Sequence, residues 1–147
     1  MPDPQWSLHK QLAADTAPVG DLALSRLLAI NAADYPWLVL VPRRAGVVEL
    51  ADLGSDAFPL MAEIGVVSLA LKSLTACDKI NVAAIGNVVP QLHIHVVARR
   101  TNDPLWPKPV FGVAPLRRAE EAEFARFVAK IRKKVAATEI LEQTSLS

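Results

Sequence analysis

What the chain lacks narrows its chemistry before anything it contains. It has one cysteine, Cys77. No intrachain disulfide can form, and no paired-cysteine zinc site is possible. A lone cysteine also fits a reducing compartment. The six glycines are scattered and no two make a Gly-x-Gly pair. That leaves out the glycine-rich phosphate loop and the dinucleotide fingerprint. The His-Glu-x-x-His motif is missing too. Neither sign of charge is in surplus, since the formal net charge is +1. Broad electrostatic binding of nucleic acid or of an acidic membrane gets no support from that balance. The start, Met1-Pro2-Asp3-Pro4-Gln5-Trp6, has no basic region and no apolar region of a secretory signal. The longest apolar runs, such as Trp37 to Pro42, are too short to span a bilayer. These absences predict a cytoplasmic protein with no membrane and no nucleic-acid partner.

What is present is a folding sequence. Hydrophobic residues make up 52% of the 147 positions and charged residues 21%, which suits one domain with a real core. Residues 1–137 are expected to form that domain and residues 138–147 a frayed tail. The first 22 residues are turn-rich and read as a loop with a short edge strand. Leu24 to Ile30 is short and apolar, a buried strand ending at Asn31. Asn31 to Pro36 reads as a turn. Trp37 to Val41 is β-branched and aromatic, a second central strand closed by Pro42. The best helix runs from Ser55 to about Leu74. Ser55 or Asp56 can cap it, and Leu60, Ile64, Val67, Leu71 and Leu74 form one stripe. Lys79 to Ile85 is a third strand, and Gly86-Asn87 a tight turn or bulge. Four prolines exclude regular structure between Thr101 and Pro115, where Trp106, Val110 and Phe111 can still anchor the chain. A second helix is predicted from about Arg118 to Val135. Its glutamates lie early, and Lys130, Arg132, Lys133 and Lys134 lie late, as a solvated end suited to the macrodipole. No alternating βα repeat exists. The class is therefore α+β: an antiparallel sheet of about five strands with two main helices on one face.

The chemistry concentrates in residues 88–97, Val-Val-Pro-Gln-Leu-His-Ile-His-Val-Val. Read as one strand, it puts Gln91, His93 and His95 on one face, each roughly 6–7 Å from the next, and Leu92, Ile94 and Val96 on the other. Imidazoles so placed can act as nucleophile, acid or base, or metal ligand. A polar strand face open to water is the plain alternative. A metal site would need further ligands, and no carboxylate lies close in sequence. His9 is isolated and reads as a surface residue. Arg99, Arg100 and Lys108 can touch phosphates or simply face water, and Trp106 reads first as a local anchor.

The run from Gly86 to Arg99 resembles the histidine triad (HIT) family of nucleotide hydrolases and transferases. His93 and His95 match the middle and last histidines of its signature. Gln91 stands at the first, and Asn87 at the usual upstream glutamine. Leu28-Ala29-Ile30-Asn31 looks like the strand ending in the asparagine that faces the nucleotide. Trp37 to Arg43 looks like the next strand, and Asp52-Leu53 also matches. The resemblance covers about residues 20–110, and the loop Trp106-Pro107-Lys108-Pro109-Val110 is similar to small bacterial members, of the dinucleoside polyphosphate hydrolase kind. Two departures stand out. Gln91 cannot exchange a proton near neutral pH, and Tyr35-Pro36-Trp37 replaces the Pro-Gly-His that often carries an auxiliary histidine. The resemblance implies that His93 attacks the α-phosphate of a nucleotide and forms a nucleotidyl-histidine intermediate. His95 would then face the leaving group or a phosphate oxygen, and Gln91 would orient the site. It also implies that Asn31 and Asn87 hold phosphate and ribose. The partners implied are a nucleotide substrate and a second copy of the chain in a homodimer, toward which the Leu60–Leu74 stripe also points. No metal and no other cofactor is expected. Two alternatives stand beside this: a nucleotide-binding protein left without useful catalysis by Gln91 and Trp37, and a metal-binding domain using His93 and His95.

Overall fold

Alternation of side chains along the strands divides the interior of this protein into two apolar clusters, one on each face of a single sheet. The computed structural model describes residues 2–113 and 116–145, with side chains as far as Ile140. The strands are β1 (Ala17–Asp21), β2 (Ser25–Ile30), β3 (Trp37–Pro42), β4 (Lys79–Ala84) and β5 (Ile94–Arg99). They pair antiparallel in the order β1-β2-β3-β5-β4. Leu27, Ala29, Leu38, Leu40, Ile94, Val96 and Ala98 point to one face. There they meet the two long helices, α2 (Ala57–Thr75) and α3 (Glu121–Ser145). Leu28, Trp37, Val39, Val41 and Val97 point to the other. Irregular chain covers that second face: Trp6, Leu8 and Leu12 of the N-terminal arm, and Leu105, Val110 and Phe111 of the proline-rich segment. The fold is α+β with both long helices on one face, as the element pattern predicts.

Helix α2 packs by the stripe read from the sequence. Leu60, Val67 and Leu71 are buried, and Ile64 and Leu74 pack against them. The stripe offered as a reason to dimerise is thus covered within the chain. Asp56 stands at the N-cap position without capping it. Its carboxylate instead takes two hydrogen bonds from Arg44, at 2.7 and 3.2 Å. By length and composition alone the stretch Leu50–Thr75 is apolar enough to cross a bilayer, contrary to expectation. Its apolarity is spread over alanine, glycine and single large residues, so no unbroken run announces it. Here it breaks direction at Gly54 (φ 57°), inside the 3-10 segment Leu50–Asp56 that precedes α2. Its core side also carries Glu63, whose buried carboxylate accepts from the backbone N–H of Leu24 at 2.6 Å and of Ser25 at 3.1 Å.

Three boundaries differ from expectation. The histidine strand begins at Ile94, not Val88, because Pro90 has no N–H for a ladder and Gly86 turns the chain at φ 67°. A six-residue helix, α1 (Lys10–Asp15), precedes β1 in the stretch expected to hold a loop with a short edge strand, and buried Leu12 anchors it. Helix α3 starts at Glu121 and continues to Ser145, past position 137 where a tail was expected. The basic cluster therefore lies inside the helix rather than at its end. Arg132 is no solvated cation either, since its Nε donates to the Val19 carbonyl at 2.6 Å and ties α3 to β1.

Candidate active site

His95 sits in β5, the strand flanked by β3 and β4, where it pairs with Val39 on one side and Ala83 on the other. Ladders on both sides fix its backbone. His93 lies just before the strand on the same side of the chain, and the two rings stand 5.0 Å apart at 76°. Both line a cleft of about 530 Å³. Its walls are α1 (Gln11, Leu12, Asp15, Thr16), the sheet face (Ile30, Trp37, Val39), the turn at Gly86-Asn87-Val88-Val89 and the segment Phe111-Gly112.

The hydrogen bonds behind the rings decide what the rings offer. His93 Nδ1 is 2.7 Å from the Gln91 carbonyl oxygen. A carbonyl only accepts, so Nδ1 carries the proton and Nε2 is left with a lone pair. His95 Nδ1 receives the indole N–H of Trp37 at 3.0 Å. Phe111 packs against both His95 and Trp37, with ring centroids 5.4 and 5.7 Å away. Burial, and then the neighbouring His93, push the His95 pKa down from 6.5 to about 4. His95 is thus neutral at physiological pH.

The other expected site residues are placed less simply. Asn87 lines the histidine cleft. Gln91 does not stand in a row with His93 and His95. Its side-chain amide donates to the Ser7 carbonyl at 2.9 Å and accepts from the His9 N–H at 2.8 Å. Its contribution to the site comes from its backbone, through the carbonyl that holds His93. Asn31 is spent in the same way, accepting from the Ala119 N–H at 2.8 Å and donating to the Ala119 carbonyl at 3.1 Å. It lines an adjoining cleft of about 410 Å³ that shares Asp15 and Thr16 with the first. His9 is no idle surface residue, because its Nδ1 accepts from the Gln11 N–H at 3.1 Å and caps α1. Arg99 does not face water and does not line the histidine cleft: it is buried, paired with Asp103 at 2.8 Å and bonded to Asn81 at 3.0 Å. Among the described residues no three His, Cys, Asp or Glu side chains converge on a point that could hold a metal ion. His93 and His95 thus have no third protein ligand among the described residues.

Sequence reasoning missed three parts of the cleft: α1, Phe111, and Trp37 as the partner of His95. Only Trp37 carried a signal, since it occupies the place of the auxiliary histidine and had been read as a loss.

The comparisons agree with this geometry. The HIT domain family matches residues 11–102. Among solved structures, a histidine triad protein of Bradyrhizobium japonicum is 51% identical, with a TM-score of 0.85 over 90% of this chain and 99% of that one. A histidine triad (HIT) protein of Sinorhizobium meliloti 1021 is 40% identical (TM-score 0.84; 88% and 97% covered). A histidine triad protein of Marinobacter aquaeolei VT8 is 38% identical (TM-score 0.85; 90% and 98% covered). No curated protein of similar sequence was found. A family match over most of the length, joined to near-complete overlap with three histidine triad structures, means that this chain belongs to the HIT domain family.

Proposed function

We propose that the protein hydrolyses or transfers nucleotides at the α-phosphate, with His93 as the nucleophile. Members of the family are commonly nucleotide hydrolases or transferases, and the finer reading rests on one observation. The Gln91 carbonyl, 2.7 Å from His93 Nδ1, holds the ring proton there and leaves the Nε2 lone pair free on a ring that lines the cleft. In the proposed reaction that lone pair forms a bond to the α-phosphorus, the bond to the leaving group breaks, and the leaving group departs with a proton taken from solvent. Water then attacks the phosphorus and returns a proton to solvent, the nucleotidyl-histidine bond breaks, and the nucleoside monophosphate leaves. Splitting a difficult displacement into two steps is nucleophilic catalysis. His95 faces the leaving group or a phosphate oxygen, and Asn87 contacts phosphate or ribose. Gln91 acts by fixing His93 and the arm, and Asn31 by shaping the neighbouring cleft. The substrates are nucleoside phosphate anhydrides, esters or phosphoramidates. The test is a panel of nucleotidyl phosphoramidates and dinucleoside polyphosphates on purified protein, with His93→Ala as control and intact-protein mass spectrometry to detect added nucleotidyl mass. Turnover that survives in His93→Ala would sink the assignment. Binding without turnover or adduct across the panel would leave a nucleotide-binding protein, in line with Gln91, which cannot exchange a proton near neutral pH, standing at the first triad position.

The working form is proposed to be a cytoplasmic homodimer. Strand β4 is an outer strand of the sheet, and Leu50, Met61 and Val82, all exposed, line an apolar groove of about 330 Å³ beside it. Light scattering is expected to return about twice the 15.9 kDa of one chain. A mass of one chain at micromolar concentration would refute the dimer.

A further inference from the structure

We propose that Trp37 is a positioning residue for His95: its indole N–H locks the imidazole as the Nε2–H tautomer, so that the cleft is presented with a lone pair from His93 and a proton from His95. The catalytic consequence rests on the function proposed above, whereas the tautomer does not. An indole nitrogen can donate a hydrogen bond and can never accept one. At 3.0 Å from Trp37 Nε1, His95 Nδ1 must therefore hold a lone pair, and a neutral ring with that lone pair keeps its proton on Nε2. The bond also opposes charging of the ring. A proton added at Nδ1 would set two N–H groups against each other.

The surroundings leave His95 little freedom. Trp37 is buried at the first position of β3, and its ring meets the His95 ring edge-on at 5.6 Å. Phe111 closes on both rings. Val39 of β3 and Ala83 of β4 flank His95 in the ladders and carry no charge. The titratable groups that share its cleft are His93, beside it, and Asp15, from α1. His93 is tied the opposite way, with its proton on the back nitrogen. The pair is thus complementary at every pH where both rings are neutral. A histidine at position 37 could itself gain or lose a proton and pass it to His95. A tryptophan cannot. The replacement that the sequence presents as a lost auxiliary histidine turns a possible proton relay into a fixed donor.

The experiment is ¹H–¹⁵N spectroscopy of histidine side chains in the full chain, without substrate. In the parent, His95 is expected to carry its proton on Nε2 alone from pH 6 to 8 and to titrate near 4. In Trp37→Phe, which keeps an aromatic ring but no donor, the proton should spread over both nitrogens and the midpoint should rise by about one pH unit or more. Trp37→His, whose ring can donate or accept, should also leave the proton divided between the two nitrogens at pH 8. A parent His95 protonated at Nδ1 would overturn the proposal, and that measurement needs no variant. So would a Trp37→Phe protein, folded by circular dichroism, whose His95 tautomer and midpoint match the parent. In turnover of a nucleotidyl phosphoramidate, Trp37→Phe should lower kcat more than it raises KM. An unchanged kcat beside the expected spectra would count against His95 taking part in the reaction, and would leave the lock itself standing.

Discussion

The two ends of β5 handle buried polar side chains in opposite ways. At its C-terminal end, Arg99 is 1% exposed and each of its three guanidinium nitrogens donates a hydrogen bond. Asp103 takes two hydrogen bonds, at 2.8 and 3.0 Å, and Asn81 a third at 3.0 Å. The Tyr35 and Trp106 rings flank the guanidinium, with each centroid 5.6 Å from Cζ. At its N-terminal end, His93 and His95 have one ring nitrogen fixed each, by Gln91 and Trp37. The other nitrogen of each ring remains for the cleft. A buried charge is tolerated when it is paired and fully hydrogen-bonded. Chemistry needs the reverse, groups held firmly but with capacity left over. One strand supplies both, and the surplus marks the site.

Breaking each end should therefore fail differently. The largest effect is expected for His93→Ala, which removes the nucleophile. The nucleotidyl adduct should vanish from the mass spectrum while the unfolding midpoint stays close to the parent's. Asp103→Ala leaves Arg99 buried without its counter-charge and should cost about 3–5 kcal/mol in denaturant unfolding. The folded fraction should still form the adduct, and an undiminished stability would erase the contrast between the two ends. His95→Ala should slow adduct formation or breakdown by about 10²–10³-fold. An adduct that persists in His93→Ala and disappears in His95→Ala would reverse their roles. The same ring sets a pH window. Its folded pKa of about 4 lies below the ordinary 6.5, so the unfolded chain binds the proton first. His95 should therefore contribute full stability above about pH 6.5, with the contribution falling as pH drops towards 4. Stability of the parent and of His95→Gln, measured from pH 7 to 4, should converge over that interval. The smallest effect is expected for Gln91→His. It disturbs two hydrogen bonds to the arm, each worth about 0.5–1.5 kcal/mol, and should speed amide exchange in α1. A new limb near pH 6.5 in its pH–rate profile would bring position 91 into the proton chemistry after all.

Local pattern carried the sheet and α2. Leu24 to Ile30 and Trp37 to Val41 have the density of buried strands, and the Leu60–Val67–Leu71 stripe has the period of a packed helix. The pairing of His93 with His95 was legible for the same reason, as two residues of one parity about to enter a strand. The rest depends on contacts far apart in sequence. Alternating apolar residues on both sides of Pro90 give residues 88–97 the pattern of one strand, which the missing N–H of that single residue cuts short. The arm, α1 and Phe111 have no periodicity to betray them. The bonds made by Trp37, Gln91 and Asn31 span 58, 82 and 88 positions. Residue type gives Gln91 and Asn31 an amide donor and acceptor each, but does not say what they meet.

Those two amides have a consequence for how this protein can diverge. Each meets a remote stretch of chain through an acceptor and a donor together, as a one-rung ladder would. Gln91 grips the carbonyl of Ser7 and the N–H of His9, and Asn31 grips both groups of Ala119. The atoms gripped are main-chain atoms, so these clasps do not care which side chains positions 7, 9 and 119 carry. Only proline at 9 or 119 would defeat them, by removing the N–H. Positions 7 and 119 are therefore free to drift in sequence while the chain there stays fastened, each by a single carboxamide.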